Sequence, residues 1–185
     1  YAKNNIKYFV GLVEGAYHLA AVTFKPDTPD SIKGKKIRAT GIFADYVAAL
    51  GGAPVSIPGP ELYTAMKTGV VDGAVYNMYD IDMFKDVWKY YVVDPVLAAN
   101  TGSILINMDT WNKLPADLKD EIQKWSQYLL VPGGTFKIRT DMWKAAATYQ
   151  KQYGFQTISW SAADKAKVFG LSQTLWDKLA TTGPA

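Results

Sequence analysis

The sequence predicts an α/β fold with a largely parallel sheet, and three observations point there. From Lys36 to Tyr76, strand-like and helix-like stretches alternate at the spacing of right-handed crossover connections. Glycines stand where each helical stretch must stop, at Gly51-Gly52 and Gly69. With 49% hydrophobic and 14% aromatic residues in 185, there is material for one domain core or for two small lobes.

Taken in order, Ile6 to Val13 is rich in β-branched and aromatic residues and predicts a buried strand. Glu14-Gly15 predicts a turn, and His18 to Thr23 a second strand. In the following loop Thr28 is placed to cap and Pro29 to open a single helical turn closing at Gly34. That turn leads into a strand over Lys36 to Ala39. Phe43, Val47 and Leu50 recur at helical spacing, and Ala53 to Ile57 reads as a strand. Pro60 opens another helix, with Leu62 and Met66 four apart and Gly69 as its end. Val70 to Tyr76 returns as a strand interrupted by Gly73.

Tyr79 to Trp88 predicts a helix, and Tyr91 to Val93 and Thr101 to Met108 predict strands separated by an Asp94-Pro95 turn. Asp109 is placed to cap a short helix over Thr110 to Lys113. Beyond Pro115, the apolar stripe Leu118, Ile122, Trp125 and Leu129 predicts a long helix with that face buried, broken or kinked at Pro132-Gly133-Gly134. Another helix is expected from Phe136 to Tyr149, then a short strand over Phe155 to Ser159. Ser161 and Asp164 have the spacing of a capping box, and Val168, Leu171, Leu175 and Leu179 mark the buried face of the last helix. Trp111, Trp125, Trp143 and Trp176 read as helix packing.

Composition narrows function. The net charge of +3 comes from scattered lysines, so no basic patch argues for nucleic acid. No apolar run reaches the ~20 residues of a membrane-spanning helix. The absence of cysteine removes disulfides, thiolate nucleophiles and cysteine-built zinc sites. His18 is the one histidine, and no Gly-x-Ser-x-Gly elbow accompanies it, so it reads as a satisfied strand histidine. Asp80 and Asp82 stand two apart on a helix and face different directions, which suits surface acids better than a cation site. No cofactor or metal is called for.

Four segments bear a resemblance. Ser31-Ile32-Lys33-Gly34-Lys35-Lys36-Ile37-Arg38 is followed by Ala49-Leu50-Gly51-Gly52-Ala53-Pro54-Val55, by the run from Pro58 to Gly73 (PGPELYTAMKTGVVDG), and by Ile104 to Asn107 with Trp111 to Pro115. In order and spacing they resemble the substrate-binding subunits of tripartite ATP-independent periplasmic (TRAP) transporters, of the DctP type, and the similarity spans essentially the whole chain. The resemblance implies a periplasmic-binding-protein-like fold of two lobes and a hinge that closes over a solute. It further implies that a first βα lobe, on the order of 100 residues, precedes this segment. On that reading residues 1–17 end the first lobe and enter the hinge, and 18–93 form the second α/β lobe. Residues 94–114 cross back toward the first lobe, and 115–185 supply a bracing helix, a short strand and the C-terminal helix.

The expected function is extracytoplasmic capture of a small organic acid for delivery to membrane permease subunits, without catalysis. A ligand-sensing module of the same fold is the alternative, and an α/β enzyme acting on a small acid a weaker one. By resemblance Arg38 grips a carboxylate, and its planar fork of donors suits two carboxylate oxygens. Thr40 and Gly41 follow the strand's carboxyl end, where ligands bind in open α/β sheets. Gly59 falls where many relatives carry an aromatic ring. Its loss either leaves room for a bulkier or ring-bearing solute or marks only a helix start. Relatives' Glu-Asn pair is replaced here by Val75-Tyr76-Asn77, so Tyr76 and Asn77 are expected to contact the solute, with a plain core tyrosine as the other reading.

Overall fold

A computed structural model describes residues 1–77, 81–95, 98–130, 144 and 148–182. Its centre is a mixed sheet in which β1 (Ile6–Ala21) runs antiparallel to its neighbours. On one side lie β4 (Gly73–Asn77), β2 (Lys36–Arg38) and β3 (Ala53–Val55), all parallel to one another. On the other lie β5 (Tyr90–Asp94) and then β7 (Gln156–Ser159), a parallel pair. β6 (Ala98–Asn107) pairs with the first part of β1 from Ile6 to Tyr17. The crossover units are therefore parallel as predicted, but the strand at the middle is not.

The two predicted strands before Thr23 are one strand of 16 residues. Glu14-Gly15 is not a turn. The β1–β6 pairing instead absorbs irregularity as register shifts between Val10 and Val13 and between Val13 and Ala16, where bulges bend a strand without ending it.

Strand alternation sorts the core into two clusters. Ala20, Ala74 and Tyr91 face helix α2 (Gly59–Lys67) and the short α3 (Ile81–Phe84), packing with Leu62, Met66, Phe84 and Trp88. Leu19, Ile37, Val75 and Val92 face α1 (Ile42–Ala49) and α7 (Ala162–Thr182), packing with Tyr46, Val47, Leu50 and Val168. Ile37 and Leu62 are fully buried, and each such side chain contributes about 1.5–3 kcal/mol relative to exposure. Gly73 opens β4 rather than interrupting a strand from Val70. A Cβ there would collide with the Ala20 carbonyl oxygen, so only glycine lets β4 approach β1 this closely.

Local signals hold elsewhere with amendments. Pro29 opens the 3₁₀ turn Pro29–Ile32, but the Thr28 side chain does not cap it; the Ser31 hydroxyl donates to the Thr28 carbonyl at 2.6 Å. Helix α4 (Met108–Lys113) is capped by Asn107, not Asp109. The Asn107 Oδ1 accepts from the Asp109 and Thr110 amides at 2.9 and 3.2 Å, and Asp109 accepts from Asn5 Nδ2 at 2.9 Å. Ser161 caps α7 by accepting from the Asp164 amide at 3.1 Å. Of the helix expected over 79–88, α3 and a following turn are described, and residues 78–80 lie outside the described set.

The long helix α5 (Ala116–Leu130) forms as predicted, yet it presents a different face. It lies against β1 with Ser126 buried and Lys119 and Ile122 half-buried. Leu118 and Trp125 of the predicted stripe are 48% and 60% exposed. The stripe locates the apolar side of the helix, but this chain covers the neighbouring side. Similarly, α7 buries Val168 and half-buries Leu171 and Leu175 against α1, while Leu179 and Trp176 face outward. Trp111 alone of the described tryptophans read as helix packing is buried, edge-on to Phe9. Trp143, Leu129's side chain and the break at Pro132-Gly133-Gly134 lie outside the described residues. So does most of the helix expected from 136 to 149, whose described part, α6, runs through 148–153.

Candidate functional site

Three segments converge where the parallel strands end. β2 ends at Arg38, the connection leaving β3 carries Ile57 and Gly59, and β4 carries Tyr76. The carboxyl ends of parallel strands are where open α/β sheets place ligands, because chain reversals there leave a crevice. Arg38 is 9% exposed. Its Nε–H donates to the Ile57 carbonyl at 2.9 Å, and its Cζ lies 5.2 Å from the centre of the Tyr76 ring, within cation–π range.

Burial pushes the Arg38 pKa down, opposed by the nearby Tyr76 and Tyr17 hydroxyls. A guanidinium does not surrender its proton in a protein, so burial here is a free-energy cost carried by a charged group. Among the described residues no carboxylate pairs with Arg38, and its terminal nitrogens donate to no protein acceptor. The arrangement can take an anion: one edge of the fork is tied to backbone, one face is covered by a ring, and the outer donors are unclaimed.

The structure places the other expected residues as follows. Gly59 is the first residue of α2, and the space beside it is already taken. A Cβ built on Gly59 would stand 3.0 Å from the Tyr76 hydroxyl oxygen. Tyr76 also packs edge-on against Phe84 at 5.3 Å between ring centres. Thr40 and Gly41 are exposed just beyond β2, with Gly41 (φ 56°) at the N-cap of α1. Asn77 closes β4 opposite Tyr17 of β1. Arg38, Gly59 and Tyr76 thus form one contact cluster, and Thr40, Gly41 and Asn77 border it at the same strand ends.

Two contributors were missed in the sequence. Tyr17, stacked on Phe43 at 4.7 Å and electrostatically felt by Arg38, reaches the site because β1 pairs with β4. The Ile57 carbonyl is a backbone group and leaves no residue-type signal. His18 sits in the strand interior as expected, fully buried, with its Nδ1 2.9 Å from the Val92 carbonyl. A carbonyl only accepts, so Nδ1 carries the proton. Asp82 pairs with Lys85 at 2.6 Å on the surface, and Asp80 lies outside the described residues. Among the described residues no three acidic or histidine side chains gather as metal ligands, and no helix is long and apolar enough to cross a membrane.

A buried guanidinium with no acid beside it among the described residues, at the carboxyl ends of the parallel strands, is an arrangement that can receive an anionic solute, and comparison with known proteins gives the class of protein. Residues 2–182 match the family described as bacterial extracellular solute-binding protein, family 7 (DctP), and the chain belongs to that family of solute-binding proteins. It is 31% identical over 105 residues to the C4-dicarboxylate-binding periplasmic protein DctP of Rhodobacter capsulatus, covering 52% of this chain and 30% of that protein. A TRAP periplasmic solute-binding protein from Desulfovibrio salexigens, solved with bound orotic acid, superposes with a TM-score of 0.80. It is 26% identical and covers 91% of this chain and 54% of its own. A counterpart from Sulfurospirillum deleyianum with bound succinate gives a TM-score of 0.79 at 19% identity, covering 98% and 60%, which shows the two-lobed solute-binding fold. The chain therefore spans about half the length of the relatives it matches.

Proposed function

We propose that this chain belongs to the solute-binding subunit of a TRAP transporter, and that it captures a small organic acid by its carboxylate. The observation that carries the reading is Arg38: a charge held 9% exposed, with one hydrogen bond to Ile57 and no acid beside it among the described residues. Such a group is stabilised by an incoming carboxylate, which supplies both the opposite charge and the missing acceptors. Thr40, Gly41, Gly59, Tyr76 and Asn77 border the clamp, with Tyr17 beside them. The family is one of solute-binding proteins, which supports a role in capture and release.

On this reading residues 18–93 form one lobe, 1–17 lead into it through the hinge, 94–114 return toward the other lobe, and 115–185 brace the two. Closure over the solute lowers the local dielectric and strengthens the Arg38 pairing, and the closed form is what the membrane permease subunits receive in the extracytoplasmic space. Succinate, D-galacturonate and orotate are suitable probes, since related proteins have been solved with acids of these types. A probe at a hundred times its dissociation constant raises the native stability of the full-length protein by about 2.7 kcal/mol, seen as a higher melting temperature. Arg38→Ala should remove that rise and leave the unliganded melting temperature in place. A rise that survives the substitution rejects the clamp.

A further inference from the structure

Arg38 is held on two sides, and one of the holders has its place only because position 59 lacks a side chain. We propose that Gly59 and Tyr76 form a matched pair that aims the Arg38 fork, with Tyr76 as the positioning residue and Gly59 as the gap that admits its hydroxyl. The inference rests on the reading of Arg38 as a carboxylate clamp and says what orients that clamp.

The geometry runs outward from the core. Phe84 is fully buried and stacks on Trp88 at 5.1 Å. Tyr76 packs edge-on against Phe84 at 5.3 Å, so the core sets the pitch of its ring. The ring in turn lies under the guanidinium, with Cζ 5.2 Å from its centre. The Ile57 carbonyl ties Nε at 2.9 Å, fixing one edge of the fork, while the Tyr76 ring holds the charged carbon over its face. Two constraints on a planar group leave the outer donors pointing one way. That order vanishes if the ring tilts.

Gly59 decides whether the ring tilts. A Cβ on residue 59 would meet the Tyr76 hydroxyl oxygen at 3.0 Å, closer than the ordinary contact of about 3.5 Å, so the ring must give by a few tenths of an ångström. A side chain at 59 and a tyrosine at 76 compete for one space. Removing the hydroxyl relieves the conflict and keeps the aromatic face, so the two positions are coupled through one oxygen atom.

The test compares Gly59→Ala, Tyr76→Phe, Tyr76→Leu and the double variant Gly59→Ala/Tyr76→Phe in the full-length protein. Two quantities are followed: the exchange rate and chemical shift of the Arg38 Nε–H by NMR without ligand, and the dissociation constants for succinate, D-galacturonate and orotate by calorimetry. Tyr76→Phe should leave the resonance close to its place. Tyr76→Leu should speed the exchange and weaken binding by ~3- to 30-fold, the range that a lost cation–π contact corresponds to. Gly59→Ala should shift the resonance and weaken binding when Tyr76 is present, and should leave the resonance where Tyr76→Phe alone puts it in the double variant, where the hydroxyl is gone and the methyl group has its space. Equal effects of Gly59→Ala in both backgrounds, or a resonance indifferent to all four variants, overturn the pairing. If none of the three acids binds the parent protein the clamp reading is what suffers, and the ligand-free resonance still decides for or against the pair.

Discussion

His18 and Arg38 are buried basic side chains on the same sheet, separated by the single strand β4, and they meet burial in opposite ways. His18, fully buried against Tyr91 with its Nδ1–H directed at the Val92 carbonyl, is held by desolvation at a pKa of about 4 and is neutral at physiological pH. Arg38 has no such exit. Desolvation lowers its pKa too, but from a value so high that the charge stays. A basic group able to shed its proton can be absorbed into a core, whereas one that cannot must be answered by an acid or wait for one. In the interior of β1 the first outcome makes a structural residue. At the end of β2 the second is what the proposed site rests on.

The most severe challenge to this contrast is Arg38→Ala. Loss of a buried, hydrogen-bonded charge pair should weaken acid binding on the order of 100-fold or more, measured by calorimetry. The unliganded protein should unfold at the same or a higher denaturant concentration, since an uncompensated buried charge has been removed. A marked drop in unliganded stability would mean that Arg38 is structural in the way His18 is.

The His18 half of the contrast is read from pH. The folded imidazole titrates at about 4 against an ordinary 6.5, so between those values the unfolded chain binds a proton that the native state refuses. Stability is therefore complete above pH 6.5 and falls as pH drops through the window, by on the order of 3 kcal/mol at its lower end. Denaturant titrations at several pH values should show the slope, and His18→Leu should flatten it. A slope unchanged by the substitution would assign it to the carboxylates instead.

Two smaller tests extend the comparison to satisfied and uncovered groups near α5. Asn107→Ala removes the cap that accepts from two amides of α4 and should cost about 1 kcal/mol in chemical unfolding. Trp125→Ser, at a side chain 60% exposed, should change the stability of the 185-residue chain by less than about 0.5 kcal/mol. A larger loss would show Trp125 covered.

How much was legible in the residues follows the range over which each signal acts. The units from β2 through α1, β3 and α2 to β4 were legible because glycine stops, proline starts and helical spacing operate within a few residues. The same holds for the Ser161 cap, where acceptor and amide are three residues apart. The proposal of Arg38 as the clamp draws on the family motif that contains it, since a strand-end arginine by itself is ordinary. Beyond that reach the signals were ambiguous. The β-rich run before Thr23 announced strands but not that bulges would join them into one, because a bulge is a property of the pairing with β6.

The order of elements, the positions of most helix ends, the apolar side of α5 and the place of Arg38 at the end of a strand were written in the amino-acid order, because all of them depend on covalent neighbours. Three-dimensional packing alone settled that β1 runs against its neighbours, that α5 turns Ser126 rather than Trp125 inward, and that Tyr76 occupies the space beside Gly59 and lies under Arg38. Those outcomes depend on contacts between segments far apart in the chain. A hydrophobic pattern states that a face seeks cover and leaves open which distant segment, if any, will provide it.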